Sequence, residues 1–394
     1  MRRIEGIYYL DKKPVAIWLD GCFISRIERI NKLQDSSENL FISPGFIDIQ
    51  VNGYDGVSFS LEGADDSSSE ARHLSVEEIR KITKELWAQG VTTYFPTLTT
   101  NSRELFLKNI GILADAIDDP ENLGSIPGLH LEGPYISAVD GYRGAHPREH
   151  VRIPDWNEFS QLYERARGKI LLVTMAPETE GAIGFIKKCR EKGIVVSLGH
   201  HNGTAENIHE AADAGAQLST HLGNGCATLI NRHRNPLWPQ LADDRIMISV
   251  ISDSFHLPPD VLKAFYKIKG AEKIIIISDM VSYAGLPAGL YRIKTGEMIE
   301  KAPNGHLRFS GQEGGLYGSA TPLPEAITHM MKVTGCSLGE VFMMTATNPA
   351  KLNNLTDRGT IEPGKRADII MFSMENSEMK IERTFVCGKE VYTR

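Results

Sequence analysis

The feature that most constrains the fold is an alternation of apolar, strand-length runs with helix-like stretches along the middle of the chain. Eight such runs occur in order, at residues 45–51, 91–98, 126–133, 170–177, 194–200, 216–223, 246–252 and 273–280. Most are continuously hydrophobic, which is typical of parallel strands buried on both faces. The repeats predict an α/β fold with a TIM-type (β/α)8 barrel. A doubly wound sheet is the alternative, but no glycine-rich dinucleotide turn follows the first run.

Helix-like stretches fill most of the connections. Over residues 76–89 apolar side chains recur at helical spacing, and Gly90 ends the pattern. Further helices are predicted over residues 102–118, 155–167, 181–192, 204–214, 258–269 and 321–334. A hairpin-like insertion is predicted over about 288–312, and Asp65 to Ser69 is predicted to be a loop.

Both ends of the chain carry short strand patterns, and neither end is long enough to form its own core. We therefore predict that residues 1–43 and 352–394 pair into one small β-sandwich domain, while residues 44–351 form the barrel. The five cysteines are scattered and odd in number. No disulfide framework and no cysteine-rich zinc site are expected from them.

Charge and hydropathy exclude several classes of function. The sequence carries a formal net charge of −7, and binding to a nucleic-acid backbone requires a basic face. No apolar run approaches the ~20 residues of a membrane span. The first residues lack the apolar segment of a signal peptide. We expect a cytoplasmic protein that binds neither nucleic acid nor a membrane.

Reactive side chains gather at the ends of the predicted strands. Glu132, His200 and His221 close the third, fifth and sixth runs, and Asp279 closes the eighth. Two histidines and one glutamate can form an open catalytic metal site, with a nearby aspartate as acid or base. Singly, each has a structural interpretation; a histidine can be a hydrogen-bonded loop residue, and Asp279 can cap a helix. The complete set favours the metal site.

At these residues the sequence resembles the N-acetylglucosamine-6-phosphate deacetylase family of the amidohydrolase superfamily. The resemblance covers nearly the whole chain, and its motifs follow one another in the family's order. They are Pro44 to Gly53, His130 to Tyr135, Gly199-His200, Thr220 to Leu222, Leu316 to Ala320 and Gly359 to Asp368. The ordered set is specific, although no single motif would be.

The resemblance implies a role for each matching residue. Glu132, His200 and His221 would hold one divalent metal ion per subunit, with zinc as the first choice and iron or another divalent ion as alternatives. Asp279 would be the general acid and base, and His146 would help to polarise the amide carbonyl. The substrate-binding residues would be Asn224, Gly225, Arg234, His256, Leu316, Tyr317 and Gly318. Arg232 is the reserve for Arg234, whose guanidinium would reach the phosphate from a neighbouring subunit of a homodimer.

Departures from the wider superfamily limit what can be inferred. Gln50 and Asn52 stand where many amidohydrolases have two histidines, so one metal ion rather than two is expected. Seven residues differ from the usual family residues near the sugar site and leave the hexosamine open: His201, Gly203, Gly223, Gly225, Cys226, Ser278 and Met280. The resemblance implies removal of the acetyl group from N-acetylglucosamine 6-phosphate or a closely related N-acetylhexosamine 6-phosphate. The alternatives are an amidohydrolase for a different N-acyl amine or sugar derivative, and a non-catalytic relative that binds sugar phosphates.

Overall fold

A computed structural model describes residues 1–33, 39–60, 73–293, 296–311 and 315–394, so the loop predicted at Asp65 to Ser69 lies outside the described residues. The chain begins with the strands β1 (Arg2–Tyr8), β2 (Pro14–Asp20), β3 (Phe23–Arg29) and β4 (Phe41–Pro44). The first three form an antiparallel meander, and β4 lies parallel to β1. This meander is the N-terminal part of the small β-domain.

Eight parallel strands follow and form the barrel. They are β5 (Phe46–Val51), β8 (Val91–Thr99), β9 (Leu129–Glu132), β10 (Ile170–Met175), β11 (Val195–Leu198), β12 (Ala216–Ser219), β13 (Met247–Ile251) and β14 (Ile274–Ile277). Between β5 and β8 lies a separate short antiparallel pair, β6 (Gly53–Tyr54) and β7 (Val57–Ser58). All eight predicted runs are confirmed. The sheet closes between β14 and β5, where the Asp279 amide donates to the Gln50 carbonyl and the Asn52 amide donates to the Met280 carbonyl. Strand ends therefore meet at one rim of the barrel.

Helices pack outside the barrel strands. They are α1 (Val76–Ala88), α2 (Arg103–Ile117), α3 (Trp156–Arg165), α4 (Ala182–Glu191), α5 (Ala205–Ala214), α6 (Leu237–Ala242), α7 (Pro259–Lys269), α8 (Leu323–Thr334), α9 (Leu338–Phe342) and α10 (Asn348–Leu352). The seven predicted helices are confirmed, with ends that differ by one or two residues. The short helices α6, α9 and α10 were not predicted, because each has too few residues to show helical periodicity.

The predicted hairpin-like insertion is a three-stranded antiparallel sheet of β15 (Gly289–Arg292), β16 (Met298–Lys301) and β17 (Leu307–Phe309). The chain ends with β18 (Ile369–Glu375), β19 (Glu378–Val386) and β20 (Lys389–Thr393). Strand β18 pairs with β4, so both chain ends build one seven-stranded sheet in the order β20-β19-β18-β4-β1-β2-β3. The predicted fold class, a barrel with a β-sandwich from both ends, is confirmed. The domain boundaries at 43 and 352 stay predictions.

A disulfide joins opposite edges of the seven-stranded sheet. Cys22 lies in the turn between β2 and β3, and Cys387 lies in the turn between β19 and β20. Their Cα atoms are 4.0 Å apart. The sheet therefore curves until its edges meet, over a core that includes Ile17, Ile24 and Phe385. The sequence predicts no disulfide framework, because the cysteines are scattered and odd in number. One disulfide is present nevertheless, since the folded sheet brings together two cysteines that are 365 residues apart in the chain.

Among the described residues, no helix has both the length and the apolar character needed to cross a bilayer.

Candidate metal centre and active site

Three predicted ligands converge at the barrel rim. Glu132 is the last residue of β9, and His200 and His221 each lie two residues beyond the end of a strand. Oε1 of Glu132 is 3.1 Å from Nε2 of His200 and 3.0 Å from Nε2 of His221. The two histidine nitrogens are 3.1 Å apart. All three side chains are buried, so three electron-pair donors face one another away from water.

The surroundings of His200 leave its Nε2 available as a ligand. Nδ1 of His200 lies 3.2 Å from the carbonyl oxygen of Tyr142, which fixes the ring proton on Nδ1. Gly144 and Gly225 lie against the same ring, and a Cβ atom at either would approach it to about 3 Å. Both glycines also have positive φ angles, of 60° and 61°. Only glycine fits these two positions without displacing the histidine.

Three of the four site residues named at the strand ends have left-handed backbone angles. The φ angles are 51° for His200, 32° for His221 and 51° for Asp279. Residues other than glycine adopt this region at a cost, and such costs concentrate at functional sites. The turns bring the side chains of His200 and His221 to Glu132, and that of Asp279 to Gln50 and Asn52. This geometry indicates that the rim is built for its side chains rather than for stability.

Charge in the cluster is shared between the carboxylate and the imidazoles. Burial alone would raise the pKa of Glu132, but the adjacent imidazoles of His200 and His221 hold that pKa well below its usual range. Burial alone would lower the pKa of His221, but the hydrogen bond and the charge of Glu132 raise it. A buried anion thus faces two basic nitrogens, and a cation at this point would neutralise the carboxylate.

Asp279 stands beside the cluster in a network of amide donors. Its Oδ1 accepts hydrogen bonds from Nε2 of Gln50 at 2.9 Å and from Nδ2 of Asn52 at 2.6 Å. The same nitrogen of Gln50 also donates to Oε1 of Glu132 at 3.1 Å. Burial and the nearby charge of Glu132 raise the pKa of Asp279 to about 6. Asp279 can therefore exchange a proton close to neutral pH, as a general acid and base must.

Asp48 is a buried carboxylate that the sequence analysis missed. It lies inside β5 and accepts hydrogen bonds from the backbone amides of Gln50 and Ser278. Burial raises the pKa of Asp48 to about 7. It holds the chain beside Gln50 and beside Asp279. A charged residue within an otherwise apolar strand was the available signal, because such residues are seldom buried without a partner.

His146 lies against the cluster and is neutral. Its ring centroid is 4.3 Å from that of His200. Burial, followed by the nearby His200, lowers the pKa of His146 to about 3. Its Nδ1 accepts a hydrogen bond from the backbone amide of Thr100 at 3.3 Å and lies 2.8 Å from the hydroxyl of the same residue. The ring proton is therefore assigned to Nε2, which makes that nitrogen a hydrogen-bond donor.

A cavity of about 550 Å³ opens over these residues. Every predicted site residue except Arg234 lines it: Glu132, His146, His200, His221, Asn224, Gly225, His256, Asp279, Leu316, Tyr317 and Gly318. Arg232 and Arg234 are exposed and lie outside the lining of this chain's own cavity. A wall at Thr99, Thr100 and Asn101 was not predicted, although Thr99 ends β8 and the other two follow it, so the strand-end rule could have found them.

Of the residues that depart from the family pattern, Gly225 lines the cavity and the others do not. His201, Gly223 and Met280 do not line it, and His201 and Met280 are buried in the protein interior. A neighbouring residue, Gln240, hydrogen-bonds His201. Gly225 is therefore the one of these positions that can contact a sugar in the cavity directly.

The ligand set fits a divalent ion. Its three donor atoms lie within 4.8 Å of one another, and no other described group of three or more such residues converges in this way. Mixed histidine and carboxylate ligation suits zinc, iron and related ions. A parallel eight-stranded barrel with such ligands and a strand-end aspartate at its rim defines a metal-dependent hydrolase.

Comparisons with known proteins agree with that class. The sequence profile of the amidohydrolase family matches residues 41–391. The chain is 31% identical to the N-acetylglucosamine-6-phosphate deacetylase of Caenorhabditis elegans over 374 residues, which cover 91% of this chain and 84% of that protein. It is 28% identical to the enzyme of the same name from Lysinibacillus sphaericus, covering 96% of this chain and 93% of the relative. The chain belongs to the amidohydrolase family, in its N-acetylglucosamine-6-phosphate deacetylase group.

A solved structure gives the same assignment for the fold. The crystal structure of N-acetylglucosamine-6-phosphate deacetylase from Thermotoga maritima superposes with a TM-score of 0.85 at 26% sequence identity. The match covers 100% of both chains. The barrel and the β-domain are therefore shared as one architecture.

Proposed function

We propose that this protein removes the acetyl group from N-acetylglucosamine 6-phosphate and releases acetate and glucosamine 6-phosphate. The observation that carries the proposal is the buried cluster of Glu132, His200 and His221 beside Asp279 at the rim of the barrel. Deacetylases of this specificity are the relatives of the chain over most of its length. One divalent ion per subunit is part of the proposal, with zinc first and iron or another divalent ion as alternatives.

Glu132, His200 and His221 would hold the ion. A divalent ion in such a site supplies Lewis acidity, which activates water for attack on an amide carbon. Gln50 and Asn52 are neutral amides that donate to Asp279, so they do not complete a second metal site. This arrangement supports a single ion per subunit.

Asp279 would move the proton. Its carboxylate accepts a proton from the attacking water as the oxygen bonds to the acetyl carbon. The same proton then passes to the amide nitrogen, and the C–N bond breaks to release the amine. A carboxyl whose pKa is about 6 is suited to both steps at neutral pH.

His146 would orient the amide. The bond from the Thr100 amide to Nδ1 leaves Nε2 as the donor side of the ring, and the ring lines the cavity. A fixed donor can stabilise negative charge as it develops on the carbonyl oxygen. Because the ring is neutral, it provides this hydrogen bond without competing for the proton held by Asp279.

His256, Asn224 and an arginine would bind the 6-phosphate. Arg234 is the first choice for the arginine and Arg232 the reserve. Both are exposed in the single chain, as are the apolar side chains of Leu229 in the same loop and Trp238 in the first turn of α6. Exposed apolar residues of this kind mark protein interfaces. A homodimer in which this loop reaches the partner's cavity accounts for both features.

A cytoplasmic location belongs to the proposal because of the substrate. A phosphorylated sugar is charged, and charged groups cross a bilayer only at high cost. Fractionation of cells that express the tagged protein, with a cytoplasmic and an exported marker enzyme, tests this part. The protein should separate with the cytoplasmic marker.

The main test is acetate release across a panel of N-acetylated amino sugars, each with and without a 6-phosphate. The proposal predicts the highest kcat/KM for N-acetylglucosamine 6-phosphate and no turnover after removal of metal by a chelator. The activity that the metal-free protein regains with zinc, iron or another divalent ion then ranks these metals. Equal activity on phosphorylated and unphosphorylated sugars would show that the enzyme does not recognise the 6-phosphate. Binding of the sugar without release of acetate would indicate a non-catalytic relative.

A further inference from the structure

We propose that Asp253 is a positioning residue that orients His256 toward the 6-phosphate, and so sets the preference for phosphorylated sugars. The inference rests on the proposed function, because it assumes that His256 meets the phosphate. It concerns a residue that lies behind the cavity wall and does not line it. Asp253 would act only through the ring of His256.

The carboxylate of Asp253 fixes one side of that ring. Its Oδ2 lies 2.7 Å from Nδ1 of His256, and its Oδ1 accepts the backbone amides of Phe255 and His256, both at 2.9 Å. Three hydrogen bonds thus converge on a side chain that is 2% exposed. A buried carboxylate with this many donors has a fixed orientation. The proton on Nδ1 is held by the carboxylate, and Nε2 is left for another partner.

The backbone around His256 is fixed as well. Ser254 has a φ angle of 72°, in the left-handed region that residues other than glycine seldom adopt. The ring of Phe255 stacks on that of His306, with centroids 4.5 Å apart and planes 10° from parallel. The sharp turn at Ser254 lets the carboxylate of Asp253 reach back to His256. His256 is therefore held by both its ring and its chain.

A second observation points to an anion at the same wall. The side-chain nitrogen Nδ2 of Asn224 is buried and has no hydrogen-bond partner among the described residues. Asn224 lines the cavity together with His256. An unpaired buried donor is costly unless a ligand accepts from it. Nδ2 of Asn224 is a donor from which a phosphate oxygen can accept a hydrogen bond, and His256 lines the same cavity.

The charged groups near His256 come from three elements. Asp253 follows β13, Asp279 follows β14, and His306 precedes β17. Asp253 makes the only direct hydrogen bond to the ring that is recorded among the described residues. That hydrogen bond fixes the orientation of the ring and leaves Nε2 for a partner in the cavity.

The test compares Asp253→Asn with wild type and with a matched control, Asp260→Asn. Asp260 is an exposed carboxylate in the first turn of α7, seven residues further on. Asparagine at 253 keeps the size and can still accept from the backbone, but it lacks the charge. We expect KM for N-acetylglucosamine 6-phosphate to rise about 10-fold or more, since hydrogen bonds to charged groups have this magnitude, while kcat changes much less. The inhibition constant of inorganic phosphate should rise in parallel.

A double-mutant cycle separates positioning from a structural role. His256→Ala and the double variant with Asp253→Asn should have the same KM, because a positioning residue has no effect once its target is gone. Additive losses in the cycle, or a loss in kcat with KM unchanged, would overturn the proposal. If Asp253→Asn fails to fold in thermal melts, Asp253→Ser provides a smaller acceptor for the same cycle. Measurements on the wild-type enzyme test the proposed deacetylase function separately, because the preference of the wild type for 6-phosphorylated sugars does not depend on any variant.

Discussion

The side-chain amide of Asn52 donates a hydrogen bond to Oδ1 of Asp279 across 2.6 Å. Asn52 directly follows the first barrel strand and Asp279 follows the eighth, so the bond lies at the seam where the barrel closes. Donors on this oxygen stabilise the charged carboxylate and lower its pKa. Burial and the charge of Glu132 act in the opposite direction and prevail, because the pKa of Asp279 is raised to about 6. Asn52 therefore limits a shift that would otherwise be larger.

Replacement of Asn52 by alanine should move the acid limb of the kcat profile to higher pH. The charged form of Asp279 loses a donor, so its pKa rises, and a larger fraction of the enzyme is protonated and inactive at pH 6. The expected shift is roughly one pH unit, from the usual strength of a hydrogen bond to a charged group. Measurement of kcat between pH 5 and 9 tests this, with Asn157→Ala on the exposed face of α3 as the control. An unmoved acid limb would exclude the role.

Asp279→Asn should lose at least ~100-fold in kcat, the low end for a positioned acid and base, while metal content stays unchanged. The metal-free variant should also be more stable than metal-free wild type at pH 7. The folded-state pKa of Asp279 is about 6 against an ordinary value of 3.8, so the charged form costs about 3 kcal/mol above pH 6.

That gain in stability has a defined pH window. Because the folded pKa is raised, the penalty of the wild-type carboxylate is fully present above pH 6 and disappears as the pH falls toward 4. Urea unfolding of both metal-free proteins at pH 7 and pH 5 measures the difference. Equal stability at pH 7 would mean that the carboxylate is not held in a costly environment.

The barrel was predictable because its strands are continuous apolar runs between amphipathic helices. Glu132, His200, His221 and Asp279 were predictable because strand ends of such a barrel meet at one rim. The hydrogen bonds among them were not, since Gln50 and Asn52 look only like weak ligands in the sequence. The same limit applies to distant pairs and to residues behind the wall. Cys22 and Cys387 meet only in the curved sheet. Asp253 reaches His256 through a left-handed turn at Ser254, and no sequence pattern predicts that turn.

Loss of either histidine ligand should remove metal and turnover together. His200→Ala or His221→Ala leaves two protein ligands for an ion that needs three, so metal content per subunit should fall well below that of wild type. His209→Ala, at a half-exposed histidine on α5, is the matched control and should keep its metal. Metal analysis of dialysed protein gives a readout apart from activity. Full occupancy with a wild-type rate in either ligand variant would refute the assignment.

The disulfide between Cys22 and Cys387 should stabilise the β-domain without affecting catalysis. It closes a loop of hundreds of residues, and such crosslinks typically contribute about 2–4 kcal/mol. In oxidised protein, Cys22→Ser should lower the urea midpoint and leave kcat unchanged. A reductant should lower the wild-type midpoint to that of the variant and should not affect the variant. A midpoint insensitive to both changes would show that the bond does not form in solution.

Arg234→Ala should reduce kcat/KM for N-acetylglucosamine 6-phosphate far more than kcat/KM for the unphosphorylated sugar. Arginine presents a fork of donors that matches phosphate oxygens, and phosphate binding far from the amide helps to orient the reacting group. Arg232→Ala, two residues away, is the matched control and should keep the wild-type ratio. Equal losses on both sugars would assign the loop a structural role. A larger effect of Arg232→Ala than of Arg234→Ala would show that Arg232 is the arginine that binds the phosphate.

Mixed dimers test our proposal that the arginine, which is exposed in the single chain, acts across the interface. Light scattering should first show a dimer at assay concentration. In a dimer of one Arg234→Ala chain and one His221→Ala chain, the first chain keeps an intact metal site and receives Arg234 from its partner. Half of the sites should then recover wild-type kcat/KM, although each variant alone is impaired. If mixing restores nothing while exchange of subunits is demonstrated, the arginine does not reach the partner's cavity; a fully active monomer would exclude the dimer as well.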